Sequence, residues 1–193
     1  VSEDHRLDLA EVLFEIADLQ ETGNPVVALE TRREWLEVVG KILRFNDRNP
    51  IDLAYLRERF RPGFLAGLAL VERLHPSGDP LGAELALGFL EGARPSASSR
   101  RDAGSTKGGI HEDTTLAELQ ASIPDDALLL EYLMGERRSF ALVVSAHGAR
   151  LASFSTTRDE ASDLMGELER AIRAPDALDV TARAGQAAFD GLL

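Results

Sequence analysis

Leu128-Leu-Leu-Glu-Tyr-Leu-Met-Gly-Glu-Arg-Arg-Ser-Phe-Ala-Leu-Val-Val-Ser-Ala-His-Gly-Ala-Arg-Leu-Ala-Ser-Phe154 is the stretch whose reading decides the fold. Its apolar period is two. Leu128, Leu130, Tyr132 and Met134 alternate with Leu129, Glu131 and Leu133. Phe140, Leu142 and Val144 repeat the pattern after Gly135-Glu-Arg-Arg, and Leu151 and Ser153 alternate with Ala152 and Phe154 after Ala146-His-Gly-Ala. Alternation over such short runs marks strands, and short polar turns between them predict an antiparallel meander of three. The row containing Leu130 is expected to be buried and Glu131 to face solvent. His147 and Gly148 suit a tight turn with positive φ.

Helix signals bracket the meander. Thr115 with Glu118 is a capping box for a short helix that Pro124 closes. Thr157-Arg-Asp-Glu160 is a second one, opening a helix whose face is Ala161, Leu164, Met165, Leu168 and Ile172. Arg170 and Arg173 stand in its last turn before Pro175, and this helix is expected to cover the sheet. A final helical segment over 180–193 carries Ala184, Ala188, Phe189 and Leu192 to the last residues, which reads as part of a longer protein.

Upstream, residues 94–113 are small and polar, almost without large apolar groups, and are expected to form a linker between regions 1–93 and 114–193. Gly104-Ser-Thr-Lys-Gly-Gly within it lacks the spacing of a phosphate-binding loop, and no strand precedes it.

Three Asn/Asp-Pro steps punctuate region 1–93: Asn24-Pro25, Asn49-Pro50 and Asp79-Pro80. Each places a capping side chain before a proline whose missing N–H costs nothing at the first helical position. The apolar residues between them keep helical steps: Leu9, Leu13, Ile16, Ala17; Leu29, Leu36, Val39, Leu43; Leu53, Leu56, Phe60; Phe64, Leu68, Val71; Leu81, Leu85, Phe89. Amphipathic helices of this length hold together by packing on one another, so helical hairpins are expected. Glu30, Glu34 and Glu37, interleaved with Arg32 and Arg33, read as a salt-laced surface. The fold class expected is α+β.

Composition narrows the function. The 193 residues carry a net charge of −12, which disfavours a nucleic-acid partner, since phosphate binding needs a basic face. No run of about 18 apolar residues occurs, and Val1-Ser-Glu-Asp-His lacks the layout of a signal peptide. A cytoplasmic location without membrane association is expected, and the absence of Cys fits a reducing compartment.

Residues 114–193 resemble the opening of a CHAT domain, the caspase-like domain that accompanies tetratricopeptide repeats. Asp126-Ala-Leu-Leu-Leu-Glu-Tyr-Leu-Met-Gly-Glu and Phe140-Ala-Leu-Val-Val carry the likeness. Ile16-Ala-Asp-Leu-Gln-Glu-Thr-Gly-Asn-Pro-Val-Val-Ala-Leu-Glu resembles one tetratricopeptide repeat, with Gly23 at the turn and Ala28 as the small residue of its second helix. Val71-Glu-Arg-Leu-His-Pro-Ser-Gly-Asp-Pro-Leu-Gly-Ala-Glu-Leu-Ala-Leu resembles a later one. The resemblance implies a meander that begins a caspase-like α/β domain, a cysteine-peptidase lineage for the longer protein, and a protein or peptide partner for the helices. The family's catalytic His-Gly and Cys map onto no residue of this chain.

Val143-Val-Ser-Ala-His147-Gly mimics the strand-then-His-Gly of a caspase-type base, but the matching family position is a hairpin turn, and no thiol exists here for His147 to activate. His5, His75 and His111 make no metal-ligand spacing and read as helix-end or linker residues. No Gly-x-Ser-x-Gly elbow is present. The sequence assigns no catalytic, cofactor-binding or metal residue and implies no cofactor. The alternative to a peptidase fragment is a non-enzymatic helical interaction module with a small structural C-terminal domain.

Overall fold

The computed structural model describes residues 3–46, 49–94, 115–163 and Gly166. Four helices, α1 (Glu3–Gly23), α2 (Pro25–Phe45), α3 (Pro50–Leu74) and α4 (Pro80–Ala93), precede a short α5 (Leu116–Ser122). Three strands follow, β1 (Leu129–Leu133), β2 (Ser139–Ser145) and β3 (Gly148–Phe154), and then helical residues 158–163. The chain is α+β.

Each Asn/Asp-Pro step starts a helix. Asn24 accepts from the Val27 amide, Asn49 from Ile51 and Asp52, and Asp79 from Leu81, with proline following each cap. Both capping boxes form: Glu118 accepts from the Thr115 amide at 2.9 Å, and Glu160 from Thr157 at 2.8 Å. The two apolar runs around Pro62 belong to one helix, because α3 passes through Pro62 without a break.

Trp35 is the centre of the helical core. Its ring lies 6.4 Å from Phe14, 6.0 Å from Phe60 and 5.1 Å from Phe64, and it is almost wholly buried. α3 comes this close because Gly63 leaves the space the Trp35 ring fills and Gly67 the space of Phe89; a Cβ at either would overlap the ring.

The sheet order is β1-β2-β3, both pairs antiparallel. Leu129 opposes Val144, Glu131 opposes Leu142 and Leu133 opposes Phe140, so these residues share one face. Leu133, Phe140, Leu142 and Val144 join the same hydrophobic cluster as Trp35, Phe64, Phe89 and Leu116. Helices and sheet thus share a continuous core. Polar links rim it: Arg94 with Glu131 at 2.6 Å, Arg138 with Glu72 at 2.5 Å, Arg158 with Glu58, and the Arg61 Nε donating to the Met134 carbonyl at 3.2 Å.

Five expectations are corrected here. Leu130 points away from the helices and is 51% exposed, whereas Glu131 occupies the inner face at 8%. Burial is tolerated there because Arg94, at the end of α4, reaches the carboxylate. Leu9 and Ile16 lie outward on α1, and Ala10 and Ala17 take the contact with the neighbouring helices. Arg32 is fully buried against Asp18 instead of lacing the surface. Leu81, expected in the α4 stripe, is exposed, and Ala83, Ala86, Leu87 and Leu90 are buried with Phe89. No described residue other than Gly78 has a positive φ, so His147 and Gly148 close their turn without one.

Apart from Arg94, the expected linker 94–113 lies outside the described residues. So do Leu164, Met165, Leu168 and Ile172 of the expected covering helix, and the final segment 180–193.

Candidate functional site

α1 carries two apolar rows on opposite sides. The inner row, Ala10, Leu13, Phe14 and Ala17, packs into the helical core. The outer row is Leu9, Val12, Ile16 and Leu19, at 45%, 50%, 39% and 82% exposure. Steps of three, four and three put these four on one line along the helix. Asp8, Glu11, Glu15 and Asp18 repeat the same steps one residue earlier, which sets a carboxylate row about 100° around the axis. A continuous apolar ridge beside a continuous acidic one is thereby presented to solvent.

The carboxylates are not equivalent. Glu11 pairs with Arg59 of α3 and Asp18 with Arg32 of α2, so these two also tie α1 to its neighbours. Asp8 and Glu15 make no ion pair among the described residues. Arg32 stacks over Phe14 with its guanidinium 4.2 Å from the ring centroid. Burial pulls this guanidinium below its usual range, against the opposing pull of the Asp18 and Glu21 carboxylates. Its Nε and Nη1 are buried without a hydrogen-bond partner among the described residues.

A second candidate is the cleft between the α3–α4 turn and β3, of about 200 Å³, walled by Val71, His75, Gly82, Ala149 and Leu151. His75 caps α3, donating its amide to the Val71 carbonyl at 2.9 Å, and its Nδ1 lies 2.6 Å from Asp79 Oδ2. The hydrogen bond from His75 holds the Asp79 carboxyl below its ordinary range, helped by the Leu81 amide. An imidazole fixed in this way resembles the orienting half of a nucleophilic site. Ser77 also lines the cleft, but among the described residues it makes no hydrogen bond to His75. The pair ties the end of one helix to the cap of the next, and the cleft is smaller than the roughly 300–1,000 Å³ of ligand pockets.

His147 sits in the two-residue loop between β2 and β3, where Ser145 pairs with Gly148. The Ser145 hydroxyl closes that loop, accepting from the His147 amide at 3.3 Å and donating to the Gly148 carbonyl at 3.1 Å. The imidazole is 78% exposed, and its ion-pair partner among the described residues is Asp125, at 3.7 Å. His75 and His147 belong to separate elements, His5 lies on α1, and His111 lies outside the described residues. Among the described residues no three or more His, Asp or Glu gather as a metal site would require. No described helix is long and apolar enough to cross a membrane.

The outer ridge of α1 was missed by sequence reasoning, which placed Leu9 and Ile16 in the core. A usable signal lay in the same residues: eight apolar positions over Leu9–Leu19 exceed what one buried stripe accommodates. No family model, curated protein or solved structure matches this chain.

Proposed function

We propose that the chain is part of a repeat-containing CHAT-family protein whose helices engage a protein partner, next to a caspase-like cysteine peptidase supplied by sequence beyond Leu193. The observation that carries the interaction half is the row Leu9, Val12, Ile16 and Leu19. A soluble helix that already buries one apolar face exposes a second only at a cost in solvation, and exposed apolar ridges of this kind mark interaction sites. The peptidase half is supported by the sequence likeness of residues 126–136 and 140–144 to the family's first two strands. A cytoplasmic location belongs to the same reading, as does the absence of nucleic acid among its partners, given the −12 net charge.

The docked arrangement suits such a role. Helices and sheet share one core, so a partner on α1 acts on a body continuous with the meander rather than on a tethered appendage. In a caspase-type mechanism the thiolate attacks the scissile carbonyl while a histidine carries the proton, each held at the end of a central strand. This chain contributes the flanking sheet and its helical cover.

The test uses the longer protein. A reading frame continuing into a strand followed by His-Gly and a strand followed by Cys is expected, with peptide cleavage abolished by iodoacetamide and by substitution of that Cys with Ala. His147→Ala is expected to cleave as the parent does. A longer protein that folds but shows no thiol-dependent cleavage would leave the non-enzymatic interaction module in its place.

A further inference from the structure

From the α1 surface we infer that the partner is a cationic amphipathic helix, one with apolar residues at alternating steps of three and four and a row of Lys or Arg along one edge. This rests on the interaction half of the proposed function and specifies its ligand. The ridge runs along one line of α1 for about three helical turns, which fits a helix laid alongside rather than an extended strand or a small molecule.

Charge selects the class of helix. The Asp8, Glu11, Glu15 and Asp18 row runs beside the apolar row along its whole length, and Asp8 and Glu15 make no ion pair among the described residues, whereas Glu11 and Asp18 pair with Arg59 and Arg32. Arg6 and Gln20 stand on the opposite flank of the ridge, so the acidic edge lies on one side only. A partner must therefore bring its cations to that side, which fixes its rotation about its own axis.

The same charges disfavour other occupants. Two antiparallel copies of α1 packed ridge to ridge would bring the two acidic rows to the same side and add repulsion along the contact, and two parallel copies would set each acidic row against a flank whose one cation is Arg6. An anionic membrane surface would be repelled likewise, because interfacial helices hold to it through Lys and Arg on the polar face. The −12 net charge steers a basic partner toward the molecule before contact is made.

The experiment measures binding of the 193-residue chain to a fluorescent synthetic helix bearing Leu at three–four spacing with Lys along one edge. Two control peptides carry Glu in place of Lys, or Ser in place of Leu. The Lys peptide is expected to bind at least about tenfold tighter than either control, and to weaken by about tenfold between about 50 and 500 mM salt as screening sets in. Asp8→Lys with Glu15→Lys, and separately Leu19→Ser, are each expected to weaken it by about tenfold or more. Circular dichroism establishes that these surface variants keep the parent fold. Equal affinity for the Lys and Glu peptides, or variants that bind as the parent does, would overturn the inference. So would a dimer of the parent chain in light scattering that Leu19→Ser dissolves, since the ridge would then be a self-interface. Failure here with thiol-dependent cleavage intact in the longer protein removes only the cationic-helix assignment; loss of cleavage with peptide binding intact removes only the peptidase reading.

Discussion

α1 and α2 are helices of equal length, 21 residues each, packed into one hairpin, yet α2 exposes large apolar residues only near its ends, Val26 and Phe45, whereas α1 exposes a row of four along its length. α2 keeps Leu29, Trp35, Val39, Ile42 and Leu43 inward and offers solvent a surface led by Glu30, Arg33, Glu34 and Glu37. α1 turns Ala10 and Ala17 fully inward with Leu13 and Phe14 half-buried beside them, and carries a second set of large residues, Leu9, Val12, Ile16 and Leu19, outward. The reason is position. Among the described residues α2 lies between α1 and α3 and carries the ring around which the core is built, whereas α1 packs on α2 from one side only, through Ala10 and Ala17 at the closest approach and Phe14 against the Trp35 ring. Position in the array therefore decides how much bulk a helix buries: α2 buries its large residues on both sides, and α1 leaves Leu9, Val12, Ile16 and Leu19 exposed.

The sharpest way to break the comparison is at Trp35. Truncating it to Ala removes the shared partner of Phe14, Phe60 and Phe64 and should cost about 3–5 kcal/mol, a large share of an ordinary domain's stability of about 5–15 kcal/mol. Chemical denaturation monitored by circular dichroism reads this directly. A loss comparable with that of an exposed α1 substitution would mean that the core is not organised around α2.

The ionic link between the two helices gives the next largest effect, and it is asymmetric. Arg32 is wholly buried whereas Asp18 is 51% exposed. Asp18→Ala should cost roughly 2–4 kcal/mol, because it leaves a desolvated guanidinium without its counter-charge. Arg32→Met should be neutral or stabilising, since the apolar side chain fits the same space over Phe14 and the abandoned carboxylate returns to water. Equal losses from the two substitutions would show that Arg32 is not desolvated as described.

These same residues explain how far the sequence could be read. The caps were legible because they are local: Asn24, Asn49 and Asp79 each bond an amide two or three residues away, so no tertiary information was needed. The antiparallel meander of three strands was legible for a similar reason, the turns being short. Faces were not. Leu130 and Glu131 alternate as any strand does, and which of them goes inward depends on Arg94, a residue 37 positions from Glu131 in sequence (131 − 94) that no local pattern links to it. On α1 both rows have helical spacing, and only the close approach of the neighbouring helices decides that the alanines take the inside. The exposed ridge went unread because two of its residues, Leu9 and Ile16, were counted as core and the other two were not weighed.

β1 repeats the α1 situation in miniature and supplies a gentler test. Burial raises the Glu131 carboxyl above its ordinary range, with Arg94 pulling it back down. A carboxyl whose folded pKa is raised contributes stability that is present below the unfolded value, about 4.3, and lost as the pH rises through the folded value. Glu131→Gln removes that dependence. The variant should therefore gain on the parent in thermal midpoint as the pH is raised from about 4 to about 7. Parallel profiles would indicate that Arg94 offsets the desolvation completely.

The smallest effect is expected on the α1 ridge, and it completes the contrast with α2. Leu19 is 82% exposed, so Leu19→Ser removes a large apolar side chain without opening a cavity or uncovering a buried neighbour, and stability should change by no more than about 0.5 kcal/mol. Two positions earlier on the same helix the sign of the steric problem reverses: Ala17 has no exposed surface, and Ala17→Leu must force α1 away from its neighbours at about 1–3 kcal/mol. Adding hydrophobic bulk should thus destabilise where deleting it does not, the opposite of what composition alone would suggest for a helix of this kind. Thermal denaturation of the two variants side by side reads the difference. A clear loss with Leu19→Ser would show the ridge packing against something within this chain, and the surface offered to a partner would have to be sought elsewhere.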